Sequence, residues 1–92
     1  MKQRVHVFYS GRVQGVGFRL TAEETAISHA VVGWVKNLRD GRVELVAEAE
    51  EPALRKFLEV IRTGPMKNFI QQIEISWSNA TDAFTGFEIR YY

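Results

Sequence analysis

The sequence predicts an α+β domain in which two helices cover one face of an antiparallel sheet of four to five strands. Three observations carry that expectation. Short runs rich in β-branched and aromatic residues recur along the chain. Two stretches of helical character separate them into the order strand, helix, strand, strand, helix, strand, with one further short strand. A glycine-rich loop, an Asp-Gly pair and a Gly-Pro pair punctuate the boundaries.

The first strand is expected at 4–10 (RVHVFYS), where β-branched and aromatic residues dominate. GRVQGVG at 11–17 interrupts it, and FRLTAEETAISH, from Phe18 to about His29, turns helical. Thr21 and Glu24 have the spacing of a capping box, so a start at Phe18 and a start near Thr21 are both open. Two strands follow at 31–38 (VVGWVKNL) and 42–49 (RVELVAEA), joined through Asp40-Gly41, the signal of a tight hairpin. The second helix has Pro52 at its first position, Leu54, Phe57, Leu58 and Ile61 on one face, and Gly64-Pro65 to end it. The last strands are expected at 69–77 and 85–91, with a polar turn at 78–82 between them. This is the split βαβ, or ferredoxin-like, pattern, which hosts many functions.

At 92 residues the chain suits one domain, 1–92. Hydrophobic residues make up 46% and charged residues 25%, as in ordinary globular proteins. Without cysteine there is no disulfide, thiolate nucleophile or cysteine metal site. The N-terminus lacks the form of a signal peptide, and no apolar run approaches the roughly 20 residues of a membrane helix. The expectation is a cytoplasmic monomer with no membrane partner. A net charge of +1 points away from nucleic acid and makes any anion site local.

Topology supplies a candidate for that site. In a split βαβ unit, the loop after the first strand and the end of the second strand lie at the same sheet edge. Arg19 and Asn37, eighteen residues apart, therefore face one place. A loop whose glycines take positive φ can turn successive N–H groups toward an anion. A helix N-terminus adds unpaired donors, and an arginine adds a planar fork for two phosphate oxygens. Gln14, Gly15, Val16, Gly17, Phe18 and Arg19 would form such a cradle. On these grounds alone the loop reads first as a connector and Asn37 first as a turn residue, and Arg19 equally as a solvated helix-end charge. Neither a Walker loop nor a dinucleotide fingerprint is present.

GRVQGVGFR at 11–19, GWVKN at 33–37, DGRVE at 40–44, Gly64-Pro65 and GFEIRY at 86–91 together resemble the acylphosphatase family over essentially the whole chain. The resemblance implies hydrolysis of carboxyl-phosphate anhydrides, with Arg19 and the loop backbone binding phosphate and Asn37 orienting the attacking water. It implies no metal, no cofactor and no covalent phosphoenzyme. Acetyl phosphate, carbamoyl phosphate and 1,3-bisphosphoglycerate are the substrates it suggests, with inorganic phosphate as product. Two positions depart from the family pattern: Ala30, where many members carry glycine, and Asn68, often alanine. If position 30 ends the first helix with positive φ, alanine costs roughly 1 kcal/mol there.

Other residues receive no chemistry. His6 and His29 lack a recognisable partner or metal-ligand spacing. Trp34 and Trp77 read as packing, and Glu48, Glu50 and Glu51 as acidic groups ahead of a helix N-terminus. The competing function is a non-catalytic ferredoxin-like binding or regulatory module. An RNA-binding version wants paired aromatics on the two central strands, and 42–49 has none.

Overall fold

The computed structural model describes residues 1–91. Its elements are β1 (Lys2–Gly11), α1 (Phe18–Ser28), β2 (Val32–Asn37), β3 (Val43–Glu50), α2 (Glu51–Thr63), a 3-10 turn (Lys67–Phe69), β4 (Ile70–Asn79) and β5 (Phe87–Arg90). The sheet order is β4-β1-β3-β2-β5. β1 pairs antiparallel with β3 and β4, as β2 does with β3. The ferredoxin-like arrangement is thus present, but the sheet is mixed, because β5 adds to β2 in parallel.

Alternation decides which face is buried. Val5, Val7 and Tyr9 of β1, Val35 of β2 and Val43, Leu45 and Ala47 of β3 are all within 1% of complete burial. They meet Phe18, Ala22 and Ala26 of α1 and Leu54, Phe57 and Ile61 of α2 in one core. Each large apolar side chain so buried contributes roughly 1.5–3 kcal/mol relative to exposure. The opposite sheet face carries Arg4, His6, Phe8, Trp34, Lys36 and Glu44, none of them fully buried.

The start of α1 is at Phe18, with Gly17 as its cap, and Thr21 lies inside the helix, where its carbonyl accepts from the Thr25 hydroxyl. Burial of Phe18, its ring 4.8 Å from that of Tyr9, draws Phe18, Arg19 and Leu20 into the helix. At the other end the Val31 amide donates to Ala26 and the Ala30 amide to Ile27, the paired bonds of a Schellman cap. Such a cap requires a left-handed residue, and Ala30 holds φ 56. Ala30→Gly is therefore expected to stabilise the fold by about 0.5–1 kcal/mol, the relief of left-handed strain less the glycine's greater chain entropy. Urea unfolding of both proteins tests this, and an unchanged or lowered midpoint at equal slope would refute it.

The 38–42 connection is a turn in which the Gly41 amide donates to the Leu38 carbonyl and Gly41 takes φ 96. Asp40 accepts from the Arg42 amide and guanidinium, and these bonds hold its carboxyl below the ordinary range. β4 extends to Asn79, through part of the segment expected as a polar turn, because its backbone pairs with β1 as far as Gln3. β5 is shorter than expected, and the chain between it and β4 is irregular.

Glu48 corrects the reading of an acidic helix lead-in. It lies on β3, 2% exposed, with Arg4 Nε 3.1 Å from its carboxylate. The Thr81 amide and hydroxyl and the Asp82 amide donate to it at 2.9 Å. Burial acts to raise its pKa, but these donors and the arginine charge outweigh it and hold the group ionised below the usual carboxylate range. The carboxylate thereby clasps the β4–β5 connection to the sheet.

Candidate active site

The chain brings the predicted pair together. Gly15, Gly17, Phe18, Arg19 and Asn37 line one cleft of about 280 Å³, with Val13, Leu20, Ile89 and Tyr91. Four segments deliver them: the β1–α1 loop, the first turn of α1, the end of β2 and the end of β5.

Local conformation explains the loop. Gly15 and Gly17 hold φ 76 and 82, backbone geometry that a side chain would strain, while no atom lies within 4 Å of where a Cβ would stand on either. Glycine is needed there for conformation rather than space. The helix that follows has no side-chain cap at its N-terminus and no acidic residue in its first turn. Its first amides therefore have no competing acceptor from a capping side chain, and they carry the positive end of the helix dipole.

The side chains of Gln14 and Val16 do not line the cleft; they anchor the loop whose backbone is expected to form the cradle. The Gln14 side-chain amide donates to the Leu38 carbonyl at 2.7 Å and to the Arg42 carbonyl at 2.9 Å. It ties the glycine loop to the turn that follows Asn37. Val16 packs its side chain against the core.

Asn37 closes β2, with its Cα opposite Val43. Two residues beyond the fully buried Val35, its side chain falls on the helix-covered face. Its Oδ1 is buried and accepts no hydrogen bond from the described residues. Buried acceptors are nearly always satisfied, so an unpartnered one in a cleft marks a place for a donor from outside the fold. Arg19, on the first turn of α1, is half-buried, its guanidinium 4.8 Å from the centre of the Tyr91 ring. No carboxylate is among the described residues lining the cleft.

Tyr91, Leu20, Ile89 and Val13 were not anticipated there. The parallel register sets Lys36 beside Arg90, so Asn37 and Tyr91 leave their strands side by side. A hydrophobic pattern announces a C-terminal strand but not its neighbour, and no signal in the sequence could have placed Tyr91 at this edge.

The histidines lie elsewhere. His6 does have a partner, Glu44, at 2.6 Å, on the open sheet face. His29 Nδ1 donates to the Thr25 carbonyl. Among the described residues no group of three or more His, Asp or Glu side chains is placed to hold a metal ion, and no helix is long and apolar enough to cross a membrane.

A family model described as acylphosphatase matches residues 5–89. An acylphosphatase of Roseiflexus sp. is 44% identical over 86 residues, covering 94% of this chain and 92% of that relative. The crystal structure of acylphosphatase from Bacillus subtilis superposes with a TM-score of 0.90 at 37% identity, covering 97% of this chain and 99% of the other. An acylphosphatase from Coxiella burnetii superposes at 0.85 with 32% identity, covering 97% and 93%.

Proposed function

The chain belongs to the acylphosphatase family and is an acylphosphatase, and from that premise we propose that Arg19 and the loop amides hold the phosphate while Asn37 holds the attacking water. The observation that carries this reading is the convergence, in one cleft, of an arginine, an uncapped helix N-terminus behind positive-φ glycines, and a buried asparagine acceptor lacking a protein donor.

The reaction converts an acyl phosphate and water to a carboxylate and inorganic phosphate. A bond forms from the water oxygen to phosphorus as the bond from phosphorus to the acyl oxygen breaks. The leaving group is a carboxylate and takes its electron pair without a general acid. Phosphoryl transfer runs through a loose transition state, so the protein's task is positioning and charge stabilisation. The Arg19 fork faces two phosphate oxygens, and the amides of 14–19 surround the anion. Asn37 Oδ1 accepts one water proton in a hydrogen bond, which leaves a lone pair of the water aimed at phosphorus. The water's other proton passes to a phosphate oxygen as the new bond completes. An uncharged amide suits this post, because a carboxylate would repel the phosphate.

A binding or regulatory module needs the cradle but not the buried acceptor, which favours catalysis. The chain's net charge is only +1, which is poor for a polyanion, so we read small acyl phosphates rather than nucleic acid as the partners. The reading is of a monomer acting in the cytoplasm without metal or cofactor.

Inorganic phosphate tests the cradle directly. It should inhibit competitively against acyl phosphate. At a hundredfold excess over its Kd it should stabilise the fold by ~2.7 kcal/mol. In a domain of this size that raises the melting temperature by roughly 10 °C or more. Phosphate that neither competes nor stabilises would rule out the cradle.

A further inference from the structure

A second groove lies on the helix-covered side of the sheet, away from the catalytic cleft. α2 packs over β3 and β1, and β4, one strand further out at the sheet edge, is only partly covered. The register sets Ile73, Ile75 and Trp77 of β4 opposite Tyr9, Val7 and Val5, so all three point to the side of the core. Ile75 and Trp77 are nevertheless 42% and 38% exposed. Arg55, Leu58, Glu59 and Arg62 of α2 face them, at the spacing of one helix face. The groove between holds about 220 Å³ and shares no lining residue with the catalytic cleft.

We propose that this groove binds a small neutral aromatic molecule, of one or two fused rings, that carries one hydrogen-bonding group for the Tyr9 hydroxyl. The inference does not rest on the hydrolase reading. Size sets the ring count: an apolar cavity of about 150 Å³ already takes one benzene ring. Leu58, Ile73, Ile75 and Trp77 supply apolar walls, and the Arg55 guanidinium, 4.6 Å from the centre of the Trp77 ring, steadies one of them. Tyr9 supplies the polar group. It is 1% exposed and lines the groove, and its hydroxyl makes no hydrogen bond to the described residues. Burial alone acts on that hydroxyl and pushes its pKa up. Buried hydroxyls are nearly always partnered, and the side left open for a partner here is the groove. The rim sets the charge. Arg55 donates to Glu51 at 2.9 Å, and Arg62 donates to both carboxylate oxygens of Glu59. Each cation is matched on its own helix, so an anion finds no surplus charge there.

Indole is the test compound, titrated into isotope-labelled protein while the backbone and tryptophan N–H resonances are followed. Saturable shifts should centre on Tyr9, Leu58, Ile73, Ile75 and Trp77. Affinity should fall roughly threefold or more in Tyr9→Phe, the scale of one hydrogen bond. That variant loses only an unpartnered oxygen, so it keeps the fold. It should fall at least as far in Ile75→Thr, which keeps a β-branched residue in the strand. Circular dichroism checks that both variants are folded. The anionic relative indole-3-acetate should bind roughly threefold or more weakly than indole. No saturable shift at these residues, or shifts centred on Val13, Leu20 and Ile89 of the catalytic cleft instead, overturns the site. Equal affinity in Tyr9→Phe, or for indole-3-acetate, overturns the ligand class. Shifts at the groove that grow with protein concentration alone mean that a second copy covers it, and overturn the small-molecule reading.

Discussion

Asn37→Ala should lower kcat by at least ~10²-fold while inorganic phosphate binds as in the wild type. The side chain lines the cleft with a buried, unpartnered Oδ1, and its proposed contact is the water rather than the phosphate. Removing it leaves the glycine loop, Arg19 and the Gln14 tether in place, so the ground state is held as before and the attack loses its direction. Fold stability should change little, because the group removed makes no hydrogen bond through Oδ1 to the described residues. The check is the pair of measurements, kcat on an acyl phosphate and the inhibition constant of phosphate. Wild-type turnover would end the water-positioning role. Lost phosphate affinity with kcat preserved would exchange the roles assigned to Asn37 and Arg19.

Arg19→Lys should lower kcat/KM by roughly 10²- to 10³-fold, with both KM and kcat affected. Lysine keeps the charge and loses the planar fork, so two oxygens of the phosphate can no longer be met at once. It also loses the flat surface that lies 4.8 Å from the centre of the Tyr91 ring. The measurement is a KM and kcat comparison beside a phosphate titration. Wild-type kinetics in the lysine variant would mean that charge alone suffices and the fork geometry is irrelevant.

The site was partly legible in the sequence because two of its members follow from topology. Once a strand, a helix and a second strand are read in order, Arg19 and Asn37 must share an edge, and they line one cleft. Gln14 shows where this reasoning stops. Its place in the glycine loop is local, but the tether its side chain makes depends on the Leu38 and Arg42 carbonyls, more than twenty residues away. Tyr91 was hidden for a related reason: periodicity announces a strand and is silent on its neighbour and on its parallel sense.

The fold divides along the same line. Pro52 and the spacing from Leu54 to Ile61 are local signals, and α2 stands where they put it. The start of α1 set a local capping pattern at Thr21 against burial of Phe18, and burial prevailed. Glu48 was misread because its partners, Thr81 and Asp82, lie thirty-three and thirty-four residues further on. A charged residue in a strand looks solvated until the segment that covers it is known.

The strand order has a kinetic consequence. In β4-β1-β3-β2-β5 only the β2–β3 pair is a local hairpin. β1 must wait for β3 and then for β4, and β2 for the far end of the chain. Such pairings incur loop-closure entropy before any contact rewards them, which places folding toward the millisecond-to-second end of the range for small domains. Arg19 and Asn37, the pair proposed for catalysis, line a cleft that the end of β5 completes with Ile89 and Tyr91, so the full site waits on that late assembly. Recovery of activity after dilution from denaturant therefore reports the last long-range closure, and a chain carrying native-like helices alone has no enzyme.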